Sequence, residues 1–246
     1  MQCPHCGHEQ SSIVECEQCG VIFSKWKPHE APPPREEGLP SPLEAIFGDS
    51  NVLRLLESPK GLLAAITDWP VAREFDIVDP VGRQRGSAAQ EAAVMNAARR
   101  FAVFSYPAQQ LAFTLYRKFG FFSEAIVQGA RGEPLGVVKQ RFSLLRRRYD
   151  LLDGAGQLFA TINGSLLKRW SFAILDRAGQ QCSEISKPYA GYTEEVVTEA
   201  RRFKVDFMNH HWTLPQRAVI LAAAVNIDFD VFEGREHKIG LAALGD

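Results

Sequence analysis

The chain has 246 residues, with 28 Lys and Arg against 29 Asp and Glu, a net charge of −1. That balance excludes a nucleic-acid binder working by bulk positive charge. Hydrophobic residues make up 46% and charged residues 23%, which excludes a disordered chain and an integral helical membrane bundle alike. The longest uncharged stretch, Phe101–Tyr116, contains Pro107, Gln109 and Gln110 and falls short of the roughly 20 mostly apolar residues of a spanning helix.

Residues 1–20 hold four cysteines and no apolar signal-peptide core. The expected setting is a reducing compartment, where paired cysteines mean metal more often than disulfide. Cys3-Pro-His-Cys6 is followed after nine residues by Cys16-Glu-Gln-Cys19. Each Cys-x-x-Cys turn aims two thiolates at one point, and Gly7 and Gly20 suit the tight knuckles that follow. Four thiolates in a tetrahedron make a closed structural Zn²⁺ site, and metal binding then supplies the folding free energy of so short a module. A redox dithiol or an iron site is the competing reading. His5 and His8 read as bystanders. The module, residues 1–27, resembles zinc ribbons, a class that serves protein or nucleic-acid contacts.

Residues 28–42 carry six prolines among acidic residues and read as an extended linker. Residues 1–41 have a net charge of −3, leaving +2 for residues 42–246.

A unit then recurs: an aromatic, Asp four residues on, and Gly three after that. It appears as Phe75, Asp79, Gly82, then as Tyr149, Asp153, Gly156, then as Phe172, Asp176, Gly179. Asp caps a four-residue turn with its side chain and Gly suits the reversal, so each unit predicts a β-hairpin. A looser copy runs from Ala125 through Gly129 and Gly132 to Gln140. Serial hairpins without long helices between them predict an all-β barrel or sandwich. The Ala-rich run Ala88 to Val103 is expected to be helical. A second helix is expected over Gln216–Phe232, after Leu214-Pro215. Ala218 to Val225 is apolar on every face, so that helix is either buried or membrane-embedded; its shortness and the interruption by Asp228 and Asp230 favour a core helix surrounded by sheet over a membrane helix.

Cys182 falls in an expected strand as a free, half-buried thiol without a nearby base. His210 and His211 are adjacent, so their imidazoles point to opposite faces and do not converge on a metal. No nucleophile elbow, phosphate loop or acid/base pair appears, and no enzyme is expected. Basic residues cluster at Arg83 and Arg85, at Arg99 and Arg100, at Lys139, Arg141, Arg146, Arg147 and Arg148, and at Lys168 and Arg169. Such runs read either as solvated faces or as a patch for anionic lipid head groups, each charge adding about 1 kcal/mol.

The C-terminal third carries Ile185-Ser-Lys-Pro-Tyr189, then Thr193–Phe207, then Gln216–Glu233 with its Ile-Asp-Phe run. Together with Pro42–Leu53 and the aromatic/Asp/Gly hairpins, these resemble the phospholipid scramblase family over roughly residues 42–233. The resemblance implies a mainly β fold, a closed tubby-like β-barrel around a buried C-terminal helix, spanning residues 43–246. It implies binding to anionic phospholipids, an association with movement of phospholipids between leaflets, and a peripheral place on the inner face of the plasma membrane. Calcium-responsive members carry an acidic segment before this helix. Here the matching stretch offers Glu199 and Asp206, with Arg201 and Arg202 opposing a cation, so no tight Ca²⁺ site is expected. The family's palmitoylated cysteine cluster is missing, since Cys182 stands alone. A second expectation is a soluble adaptor or lipid sensor whose zinc module grips a protein or nucleic-acid partner.

Overall fold

A computed structural model describes residues 2, 9, 11, 40–58, 63–67, 70–92, 99–118, 123–143, 147–164, 171–187, 202–208 and 211–228. The chain divides into two compact units, residues 1–35 and 36–246. In the first, Gln2 and Glu9 form an antiparallel bridge. Cys3, Cys6, Cys16 and Cys19 lie outside the described residues, as does most of the proline-rich linker.

The second unit opens with helix α1, Pro42–Phe47. Ser41 caps it in a reciprocal box: the Glu44 N–H donates to Ser41 Oγ at 3.2 Å, and the Ser41 N–H donates to Glu44 Oε2 at 2.6 Å. Pro42 suits the first helical position. Twelve strands follow: β1 Val52–Ser58, β2 Val71–Val78, β3 Gln84–Glu91, β4 Arg99–Ser105, β5 Leu111–Lys118, β6 Glu124–Gly129, β7 Pro134–Arg141, β8 Arg148–Asp153, β9 Leu158–Gly164, β10 Ser171–Asp176, β11 Gln181–Ser186 and β12 Arg202–Asp206. Each pairs antiparallel with its neighbours in sequence, and β12 returns to pair with β1 through Leu53 opposite Val205 and Leu55 opposite Phe203. The sheet is therefore a closed barrel without edges.

Helix α2, Leu214–Asp228, packs against β5 to β8, β12 and α1. Thr213 and Gln216 form its capping box, Gln216 N–H to Thr213 Oγ1 at 3.4 Å and Thr213 N–H to Gln216 Oε1 at 3.0 Å. Ala218 to Ile227 is buried without interruption, as a helix apolar on every face requires. The helix begins two residues earlier than the sequence suggests, and residues 229–232 lie outside the description. No helix among the described residues is long and apolar enough to cross a membrane. One close approach fixes the helix height: a Cβ on Gly136 of β7 would sit 2.7 Å from Val219 Cγ2.

The hairpin expectation holds in detail. Oδ1 of Asp79 accepts the N–H groups of Val81 and Arg83, Oδ1 of Asp153 those of Ala155 and Gln157, and Oδ1 of Asp176 those of Ala178 and Gln180. Gly82, Gly156 and Gly179 close these turns at φ of 85°, 77° and 79°, where a side chain is strained. In the looser copy Glu133 supplies the carboxylate, accepting the Arg131 N–H at 2.9 Å.

The expected helix over Ala88 to Val103 is wrong. Ala88 lies on β3 and Val103 on β4, and the two are opposite partners across the antiparallel pair. The cause is burial of β3 on both faces. Ala88 faces the main core, and a Cβ on Gly86 would lie 3.3 Å from Ile46 Cγ1 of α1. Ala89 packs with Leu63, Ala102 and Phe104 in a second cluster under a short 3-10 turn, Leu63–Ala65. Both faces want small residues, so alternation disappears and the strand imitates a helix.

Candidate functional site

The largest basic cluster in the sequence falls on the β7–β8 hairpin. Side chains on adjacent antiparallel strands are nearest where residues face each other. The register sets Arg141 opposite Arg148 and Lys139 opposite Asp150. Alternation turns Val138, Tyr149 and Leu151 into the core, all buried, and leaves Lys139, Arg141, Arg147 and Arg148 exposed. The structure thus brings together four of the five basic residues singled out from the sequence. The fifth, Arg146, lies outside the described residues, as do Lys168 and Arg169.

Two guanidinium-bearing residues directly opposite each other work against pairing of the strands. One carboxylate relieves this in part: Arg141 Nε meets Asp150 Oδ2 at 2.7 Å. Beside them Phe142, 71% exposed, extends the strand end. An exposed aromatic set among arginines is the residue that the sequence reading missed. Its signal was available, since Phe142 stands at the close of an alternating strand where the core face has ended.

The same end of the barrel receives the C-terminal part of α2. Ser123 Oγ donates to Asn226 Oδ1 at 3.0 Å, and the Ser123 N–H donates to Gln140 Oε1 at 3.1 Å. Asn226 is fully buried, and its Nδ2 has no hydrogen-bond partner among the described residues. This cluster pins the helix beneath the β7–β8 corner, two residues from Phe142.

Asp206 sits at the other end of the barrel. Its Oδ2 accepts from Lys204 Nζ at 3.0 Å and its Oδ1 from the Met208 N–H at 3.0 Å. Both oxygens are therefore engaged within the chain, and Glu199 lies outside the described residues. Near Asp206 the chain entering α2 is tied down by Arg217, which donates to the carbonyls of Phe47 at 3.2 Å and Ser50 at 3.0 Å and lies 5.0 Å from the Phe207 ring centre. Burial works against the Arg217 charge and lowers its pKa.

His211 is exposed in the segment before α2, and His210 is outside the description. Trp212 is instead buried, with Nε1–H donating to Ser183 Oγ at 2.8 Å. Cys182 is a buried free thiol rather than a half-buried one, 5% exposed, with Sγ 3.3 Å from the Ile174 carbonyl. Burial, with the charge of Asp176 adding, pushes its pKa up to about 11. Among the described residues no three His, Cys, Asp or Glu side chains converge on a point. What the described surface offers is a cationic corner with an apolar tip, chemistry suited to binding a polyanionic surface.

The chain is 29% identical over 133 residues to "Altered inheritance rate of mitochondria protein 25" of Saccharomyces cerevisiae, an alignment covering 46% of this chain and 40% of that protein. The chain thus spans less than half the length of this curated relative. No solved structure matches it. The family model described as Scramblase matches residues 39–234, which include α1, all twelve strands and α2. The chain belongs to the scramblase family.

Proposed function

We propose that the protein binds anionic phospholipid at a bilayer surface and supports movement of phospholipid between leaflets, without acting as an enzyme. The observation that carries this reading is the β7–β8 corner, where Arg141 and Arg148 face each other beside exposed Phe142. Like charges held at one spot cost stability, and an anionic head group is the partner that relieves the cost. Family membership supports the same reading.

Cys3, Cys6, Cys16 and Cys19 are proposed to hold one structural Zn²⁺, in a module that contacts a protein or nucleic-acid partner. Tight Ca²⁺ binding is not proposed, because Asp206 is committed to Lys204 and Met208. The inner face of the plasma membrane is the proposed site of action.

The test is reconstitution into vesicles carrying fluorescent lipid, followed by a membrane-impermeant quencher, with and without Ca²⁺. Quenching beyond the outer-leaflet half, independent of Ca²⁺, is the expected result. Vesicle binding with quenching that stops at half removes the transport claim and keeps the binding claim. Failure to bind vesicles removes both and moves the function to the partner of residues 1–27.

A further inference from the structure

We propose that the barrel docks end-on to an anionic bilayer, with the end where α2 terminates facing the membrane and Phe142 entering the head-group layer among Arg141, Arg147 and Arg148. This rests on the phospholipid-binding reading above and adds the surface and its orientation.

Strand direction sorts the connections of the barrel into two sets. One end holds the five tight reversals between β2 and β3, β4 and β5, β6 and β7, β8 and β9, and β10 and β11. The opposite end receives the remaining links, including β7 to β8 and β9 to β10, together with the last turn of α2 near Ser123.

Charge differs between the two ends. At the tight-turn end the acids Asp79, Glu133, Asp153 and Asp176 share the turns with Arg83, Arg131 and Arg177, which leaves these turns close to neutral. At the opposite end β4 carries Arg100 and β5 carries Arg117. There β7 and β8 bring Arg141 beside Arg148, flanked by Lys139 and Arg147. Glu91 and Glu124 are the acidic residues at the ends of β3 to β8 on this side. The described residues of the barrel are therefore more basic at the end where α2 terminates than at the tight-turn end. Such a molecule is oriented by an anionic plane before contact, because the surface attracts one end more strongly than the other.

An apolar tip distinguishes a bilayer from other polyanions. Phe142 is exposed beside the arginines. Apolar residues that enter the acyl boundary while cations meet phosphates are the chemistry of interfacial binding.

The test places an environment-sensitive fluorescent amino acid at position 142, or at position 81 on the β2–β3 turn, where Val81 is 77% exposed at the far end. The full-length protein is mixed with vesicles of equal parts phosphatidylcholine and phosphatidylserine. The reporter at 142 is expected to shift to the blue and the one at 81 to stay unchanged. Arg147→Ala with Arg148→Ala is expected to weaken vesicle binding about 25-fold, roughly fivefold per charge. Arg131→Ala, on the β6–β7 turn, is expected to leave binding intact. Binding without a shift at 142, or with one at 81, overturns the orientation while phospholipid binding stands. Absence of binding overturns both.

Discussion

Ser123 donates its hydroxyl to the amide oxygen of Asn226, 3.0 Å away and 103 residues along the chain. The bond lies inside the barrel and joins the start of β6 to an otherwise apolar helix. It fixes which residues of α2 meet which strands, because a shifted helix would carry a buried amide into hydrocarbon.

The pair predicts an unequal response to substitution. Ser123→Ala removes the side-chain partner that Asn226 has among the described residues and is expected to cost about 1–3 kcal/mol. Asn226→Leu removes the orphaned Nδ2 at similar volume and is expected to change stability by under about 1.5 kcal/mol. Urea titration of both variants checks the order; a larger loss in Asn226→Leu would show that the amide does more than hold Ser123.

Gly136 predicts a steric coupling. A Cβ there meets Val219 Cγ2 and the Leu152 carbonyl, so Gly136→Ala is expected to cost about 1–3 kcal/mol. Val219→Ala makes room on one side. The double variant is expected to lose less than the two single losses combined, read from a double-mutant cycle in urea. Full additivity would place α2 elsewhere in the barrel.

The β2–β3 turn predicts a pH dependence. Burial pushes the Asp79 carboxyl up, but hydrogen bonds from the Arg83 backbone and guanidinium, the Arg83 charge and the Val81 N–H outweigh it and leave its pKa below the ordinary range. A depressed carboxylate contributes stability that is complete above the unfolded pKa, about 3.9 for Asp, and is lost as pH falls through the folded value. Asp79→Asn is therefore expected to be less stable at neutral pH and to show a shallower loss in acid below about pH 4. Urea midpoints across that range decide it, and parallel curves for the two proteins would remove Asp79 from the acid response.

Cys182 predicts chemical silence. With its pKa pushed up to about 11, the thiolate fraction at neutral pH is about one in ten thousand, and the sulfur is buried. Mass mapping after native treatment with a maleimide is expected to find position 182 unmodified until denaturant is added. Labelling at the rate of a free thiol would show that the β10–β11 hairpin opens in the native state.

The two helices show how much a short motif reveals. Ser41-Pro-Leu-Glu44 and Thr213-Leu-Pro-Gln216 are the same capping signal, which marks the start of α1 and sets the start of α2 two residues before Gln216. By contrast, Ala88 and Val103 were read as parts of one helix and prove to be facing residues on two strands. No local motif separates these cases, because β3 owes its small residues to α1 on one face and to the Leu63 cluster on the other.

What the sequence alone determined is what a few neighbouring residues can fix. An Asp that satisfies two N–H groups and a Gly free to take positive φ specify a turn within five residues, so the hairpins at Asp79, Asp153 and Asp176 were legible. An apolar run without a polar face specifies burial, so α2 was legible as a core helix. The position of the basic residues depends instead on pairing across the barrel. The basic residues of β4, β5, β7 and β8 are scattered from position 99 to 148, and nothing in their spacing marks them as one end of a molecule. Antiparallel pairing alternates strand direction, and that geometry alone gathers them around the end of α2, opposite the tight turns.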